Sequence, residues 1–173
     1  MKSLLRKFSP ALLTAILAGC GQQAGTPAGL APVEISRATA CSLDGMLLAD
    51  FPGPKAQIHY AGQAQPEFFC DTVEMFHIYL NPEQVRTVRG LYVQDMGRAD
   101  WDEPRGNWID AQAAYYVLGS KRHGSMGPTI ASFALEQDAL AFAADYGGKV
   151  YPFSGITPDM VVLDGGALHD SNM

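Results

Sequence analysis

The chain has 173 residues, 47% of them hydrophobic and 17% charged, with eighteen acidic residues against twelve basic ones and a formal charge of −6. This is a globular composition rather than a disordered one, and the length fits one domain with a sizeable core. The acidic balance argues against nucleic acid and anionic lipid surfaces as partners, since both carry negative charge.

The chain opens with the signals of an export leader. Lys2, Arg6 and Lys7 form a cationic start, and residues 8 to 18 form an apolar run too short to span a bilayer. Leu17-Ala18-Gly19-Cys20 then gives the small-residue pattern at which bacterial lipoprotein signal peptides are cut. Residues 1 to 19 are therefore expected to be removed. Cys20 would carry a diacylglycerol on its thiol and a further acyl chain on its amine, enough buried CH₂ groups for stable anchoring. Gly21, in place of Asp after the cysteine, favours the outer membrane. The alternative is a cleaved secretory signal with an incidental cysteine. Cleavage removes three of the basic residues and none of the acidic ones, so the remaining 154 residues carry a formal charge of −9. Residues 20 to 34, rich in Gly, Ala, Gln, Pro and Thr up to residue 32, read as a lipidated flexible tether. Residues 35 to 160 read as the folded domain and residues 161 to 173 as a C-terminal tail.

Within the domain, Gly53-Pro54 precede an apolar strand over residues 56 to 60. After a turn, residues 68 to 70 lead into a helix over residues 71 to 79. Asp71 is its N-cap, and Glu74 stands three residues later at the spacing of a capping box. Strands over residues 88 to 94 and 114 to 118 follow, rich in Val, Tyr and Leu and bounded by turn residues. Gly127-Pro128 repeat the opening of the first unit and introduce a strand over residues 129 to 134. The next helix covers residues 136 to 146, with Ala139, Phe142, Ala143 and Tyr146 at i, i+3, i+4 and i+7. Gly147-Gly148 turn the chain into a last strand over residues 149 to 153. The result is an α+β order with a weak internal repeat of sheet and helix. Met75 in the first helix and Met160 beside Val161-Val162-Leu163 are expected in the core.

With Cys20 lipidated, Cys41 and Cys70 are the remaining thiols, in a compartment where thiols tend to pair, so a disulfide between them is one reading. The residues around the cysteines favour another. Cys41 sits in Cys41-Ser42-Leu43-Asp44-Gly45-Met46, and Met126 sits in His123-Gly124-Ser125-Met126-Gly127. A methionine bracketed by Ser and Gly has little helix or strand to pack from. Thiolate and thioether are soft donors, and together with imidazole they discriminate toward Cu(I) over Mg²⁺ or Ca²⁺. Zinc calls for a full four-ligand set, and no paired C-x-x-C spacing occurs. Low-coordinate Cu(I) also leaves a position open to a partner's ligands. Plain surface or packing roles for these loop residues compete with this reading. There is no G-x-S-x-G, phosphate loop or dinucleotide fingerprint. Asp100, Asp102 and Glu103 around Trp101 read as a solvated acidic turn, His59 and His77 as packing or hydrogen-bonding residues, and His169 as part of a frayed terminus.

In their order along the chain these motifs resemble the NosL family, the copper-binding lipoproteins of nitrous oxide reductase maturation. The resemblance runs from the lipoprotein cleavage pattern to about Phe153. It rests on Cys41-Ser42-Leu43-Asp44-Gly45-Met46, on Pro52-Gly53-Pro54-Lys55 with Gln57, and on Phe69-Cys70. It continues through Tyr92-Val93-Gln94-Asp95-Met96 with Trp101, residues 113 to 119, Gly124-Ser125-Met126-Gly127-Pro128, and Phe142-Ala143 with Gly147-Gly148. It implies a periplasm-facing, membrane-anchored Cu(I) chaperone that is a carrier and not an enzyme. Its cargo would serve the copper-sulfide centre of nitrous oxide reductase. The implied partners are the apo reductase and a membrane ABC transporter complex of the same maturation pathway. The implied fold is two ββαβ units resembling those of the organomercurial lyases. The family's ligand cysteine and methionine fall on Cys41 and Met126, and Met46 and His123 are candidates to complete the site. Asp44 stands where many members carry a second cysteine, which weighs against two thiolates within the first motif. Cys70 matches a family cysteine and is either a ligand or a core residue. Two rivals stay open. One is a lyase-like enzyme using Cys41, Cys70 and Asp44; the other is a structural lipoprotein stapled by a Cys41–Cys70 disulfide.

Overall fold

Two small antiparallel sheets, each carrying one helix, make up the computed structural model, which describes residues 30–163. The first sheet holds β1 (Ala56–Tyr60), β2 (Glu67–Phe69), β3 (Val88–Gln94) and β4 (Trp108–Asp110) in the order β2-β1-β3-β4. Helix α1 (Thr72–Tyr79) lies between β2 and β3 in sequence. β1 is central and buried at every position, Gln57 and His59 included. Strand alternation puts Ala56, Ile58 and Tyr60 on one face and these two polar residues on the other. The polar face is satisfied by the incoming chain. The Gln57 amide accepts from Val33 N at 2.8 Å and donates to Val33 O at 3.0 Å, and His59 Nε2 lies 3.0 Å from Gln57 Oε1.

The second unit begins with β5 (Tyr115–Leu118), passes through a short ribbon of β6 (His123–Gly124) and β7 (Gly127–Pro128), and continues into β8 (Ala131–Phe133). Helix α2 (Glu136–Tyr146) and β9 (Lys149–Pro152) complete it, and the sheet order is β8-β5-β9. In both sheets the first strand in sequence lies between the second and the third, with a helix connecting those two. The α+β order expected from the sequence is the order found.

One apolar core is shared by both units. Met75 and Phe76 of α1 pack with Phe69, Leu91 and Val93 of the first sheet, and with Tyr116, Ile130, Ile156 and Val161 from beyond it. The stripe of α2 faces a smaller cluster in which Ala139 is fully buried and Phe142 and Ala143 pack against Val117, Ala131 and Phe133.

The folded region is wider than the sequence implies. The tether expected through residue 34 is already docked at residue 30. The Tyr92 hydroxyl donates to Leu30 O, and Glu34 accepts from Gly106 N and from Trp108 Nε1, each at 3.2 Å. At the other end Val161 is 1% exposed within the core, so packing continues past residue 160. β8 begins at Ala131 rather than residue 129, because Thr129 turns its hydroxyl onto Asp71. Among the described residues no helix is long and apolar enough to cross a membrane.

Phe76 is the aromatic hinge of the shared core, with ring centroids 4.9 Å from Tyr116 and 5.4 Å from Phe153. Phe76→Ala is expected to cost about 3–5 kcal/mol, the range for emptying a buried aromatic site. Urea unfolding followed by circular dichroism measures this as a lowered midpoint.

Candidate metal centre

The Cys41 loop is a tight turn. Cys41 N donates to Met46 O at 2.7 Å, and Gly45 N donates to Cys41 O at 2.9 Å. Gly45 has φ +82°, a conformation that costs glycine little and other residues more. Ser42 N donates to Phe68 O at 2.7 Å, and Phe68 N donates to Ser42 Oγ at 3.1 Å, so the loop is laced to β2. Cys70 follows β2 by one residue, and the lacing brings the two thiols together. The donor atoms of Cys41, Asp44 and Cys70 all lie within 4.8 Å of one another. Both cysteines are buried and free, so no disulfide joins them.

The charges around Cys41 set its state. Leu43 N donates to its Sγ at 3.4 Å, and Glu74 Oε2 lies 3.3 Å from the same sulfur. The hydrogen bond from the Cys70 thiol is the largest influence; with backbone N–H groups of Cys70, Asp44 and Leu43 it outweighs burial and lowers the Cys41 pKa to about 6. Cys70 moves the opposite way, because its thiol is held as donor to Cys41 and burial adds to that. Burial, reinforced by the Cys41 charge, raises Glu74 to about 8. The two shifts run in opposite directions, Cys41 toward the thiolate and Glu74 toward the neutral carboxyl. Lys55, fully buried behind this cluster, donates from Nζ to Pro52 O at 2.9 Å and to Cys70 O at 3.1 Å. Burial lowers its pKa to about 8 against the pull of nearby anionic groups.

Met126 comes from the other unit, at the turn between β6 and β7, and is 50% exposed. Two glycines bring that turn close. A Cβ on Gly124 would collide with the Asp71 carboxylate, and one on Gly53, itself at φ +80°, would come within 3.1 Å of Gly124 Cα. Asp71 is the N-cap of α1, accepting from Val73 N at 2.9 Å, and it also accepts from Thr129 Oγ1. The two units thus meet around a cavity of about 310 Å³ lined by Asp44, Asp71, Glu74, Ser125, Met126 and Met160 among others. Glu74, which carries Cys41 against its carboxyl, forms part of that lining.

The structure therefore assembles Cys41, Asp44 and Cys70 as one cluster and brings Met126 to the cavity beside it. Met46 is half-buried against the two cysteines, and its carbonyl lies 3.6 Å from Cys70 Sγ. His123 does not line the cavity: its side chain is exposed, and its carbonyl accepts from Trp101 Nε1 at 3.1 Å. Cys20 lies outside the described residues, as does His169. Two expectations are corrected. Glu74 does not return to the α1 N-terminus as a capping box but turns to Cys41, and Met160 is 39% exposed at the cavity rather than in the core. Lys55 and Glu74 went unread as site residues. A lone Lys ahead of an apolar strand, and an acid flanked by Val73 and Met75, were the signals available.

A buried pair of cysteine sulfurs beside Asp44, with a thioether at the adjoining cavity, has the donor chemistry of a soft-cation site on an α+β scaffold. The chain belongs to the NosL family, whose family model matches residues 32–161. It is 39% identical over 180 residues to the copper-binding lipoprotein NosL of Stutzerimonas stutzeri, covering 98% of this chain and 93% of that protein. It is 36% identical over 166 residues to the protein of the same name from Achromobacter cycloclastes, covering 94% and 85%. The crystal structure of the copper chaperone NosL from Shewanella denitrificans superposes with a TM-score of 0.72 at 40% identity, covering 77% of this chain and 99% of that one.

The ultraviolet thiolate absorption of the apo protein, followed against pH, is expected to show a transition near pH 6 that is absent in Cys41→Ser. Cys70→Ala should move the midpoint upward, since it removes the donor that does most to hold Cys41 down. Cation affinity should rise with pH as the sulfur ionises and flatten above about pH 6.

Proposed function

We propose that this chain is a Cu(I) carrier whose cargo is held by Cys41 and Met126 and passed to a maturing copper enzyme. The observation that carries the reading is the clustering of two free buried cysteines with Asp44 beside a cavity that holds an exposed thioether. The names of the relatives, copper-binding lipoprotein and copper chaperone, support copper as the metal. The soft donors support the cuprous state over the cupric one. Asp44 and Cys70 stand close enough to Cys41 to complete or adjust the coordination, and Met46 supports the thiols from behind.

Handling of the cargo follows from the donors. Cys41 enters as thiolate, so uptake of copper need not release a proton from the sulfur at neutral pH, and Glu74 keeps its own proton against it. Because Met126 is half out in solvent, a docking partner reaches the thioether first and replaces it, leaving Cys41 as the last bond to break. A carrier needs this stepwise exchange and no turnover chemistry, so the reading is a chaperone and not an enzyme. The two sheets with equivalent strand order support descent of both units from one ββαβ ancestor, the arrangement implied by the likeness to organomercurial lyases.

The destination is the copper-sulfide centre of nitrous oxide reductase, with the apo reductase and a membrane ABC transporter complex as partners. This rests on membership of the family. Lipid attachment at Cys20, on the periplasmic side and in the outer membrane, rests on the sequence around that cysteine and on relatives named as lipoproteins.

The test is an anaerobic Cu(I) titration of the mature chain carrying Cys20→Ser, against a chromophoric competitor. Saturable binding with thiolate-to-copper absorption is expected. Cys41→Ser should abolish it, and Met126→Leu should weaken it by about tenfold or more, or about 1.4 kcal/mol and upward. Failure of the parent chain to compete with both thiols reduced would sink the reading.

A further inference from the structure

Among the described residues, Met160 belongs to none of the apolar clusters that form the core. It closes the short turn Pro158–Met160, where its N–H donates to Thr157 O at 3.0 Å and the Thr157 hydroxyl donates to Asp159 at 2.6 Å. The next residue, Val161, is 1% exposed in the shared core, and its carbonyl accepts from His77 Nδ1 at 3.1 Å. The backbone on both sides is therefore pinned, while the thioether between the pins is 39% exposed. It lines the same cavity as Met126, which is 50% exposed. Leaving two long apolar side chains in solvent forgoes burial that each would otherwise gain.

The cavity carries a second mark of an occupant. Among the described residues, Glu74 Oε1 and Ser125 Oγ are buried without a hydrogen-bond partner, and both residues belong to its lining. Leaving a buried polar oxygen unpaired costs about 1–3 kcal/mol, so such atoms call for a partner such as a bound water or ion. Leu43, Val162 and Leu163 add apolar surface to a wall that also holds Asp44 and Asp71. Methionine adds three rotatable bonds and a polarisable sulfur, so the side chain can follow a metal between positions.

We propose that Met160 is a further thioether donor to Cu(I) in the cavity it shares with Met126. This deepens the copper-carrier reading and rests on it. In this arrangement the cavity offers two thioethers, one from the ribbon of the second unit and one from the turn after β9, next to the Cys41 cluster that Glu74 joins to its wall. A partner that displaces one thioether then leaves the metal held by the other sulfurs, which keeps it from being lost to solvent during transfer.

The experiment uses the mature chain with Cys20→Ser, with its methionine methyl groups isotopically labelled, and silver(I) as a redox-stable stand-in for Cu(I) in nuclear magnetic resonance. A parallel Cu(I) competition titration compares the parent with Met160→Leu, a change that preserves volume and apolar character. The expected result is that the Met126 and Met160 methyl signals both move with the first equivalent of silver while the Met75 signal stays. Met160→Leu should keep the thiolate-to-copper absorption and lose affinity by about tenfold. A Met160 signal that does not move, or a Met160→Leu affinity within about twofold of the parent, overturns the assignment and leaves the Cys41 reading standing. Absence of saturable binding in the parent chain overturns both.

Discussion

Asp71 is the point on which the arrangement turns. Its carboxylate caps α1 through Val73 N, receives the Thr129 hydroxyl from the second unit, and sits so close to Gly124 that no side chain fits there. Hydrogen bonds to a charged group contribute about 1.5–3 kcal/mol each, so a carboxylate shared by both units ties them firmly. Burial raises its pKa, while the hydroxyl and backbone N–H groups, with the Lys55 charge, oppose that rise. The cap fixes where α1 begins, and this decides where Glu74, one turn later, presents its carboxyl. The same residue fixes how near the Met126 ribbon comes. One buried acid therefore sets the distance between the thiol half of the site and the thioether half.

The electrostatics built on that frame favour a single thiolate. Two buried cysteines side by side cannot both ionise at modest cost, since like charges at short range in a poorly solvated site repel strongly. Here the asymmetry comes from geometry: the backbone N–H groups of Leu43, Asp44 and Cys70 converge on Cys41, and the Cys70 thiol is left as donor. Glu74 takes the neutral form beside the thiolate, and Lys55 supplies a cation one layer further back. The cluster therefore presents one anionic sulfur rather than two. This suits a monovalent soft metal, which a carrier must hold and also release.

Much of the scaffold was legible in the sequence. The strands over residues 56–60 and 88–94 and the helix over residues 136–146 were read at the bounds the structure shows, because each has a clear period bracketed by turn residues. β4 was missed, since Trp108-Ile109-Asp110 is too short to show alternation, and so were the two-residue strands of the Met126 ribbon. Cys41 and Met126 were legible as candidates through their glycine-flanked loops and the family likeness. Their surroundings were not. Cys70 comes beside Cys41 only because Ser42 and Phe68 exchange hydrogen bonds, a long-range contact with no local signature. Glu74 has the spacing of a capping residue and a different partner. Met160 sits in an apolar run, yet the turn that precedes Val161 sends its side chain out while Val161 goes in.

The central claim is that sulfur from both units converges on one metal ion. X-ray absorption at the copper edge of the mature chain loaded anaerobically with Cu(I) tests it most directly. The account predicts a low-coordinate cuprous ion whose nearest neighbours are chiefly sulfur, with scattering that diminishes in Met126→Leu and is lost as a defined site in Cys41→Ser. A first shell of nitrogen and oxygen alone, unchanged by either substitution, would contradict it.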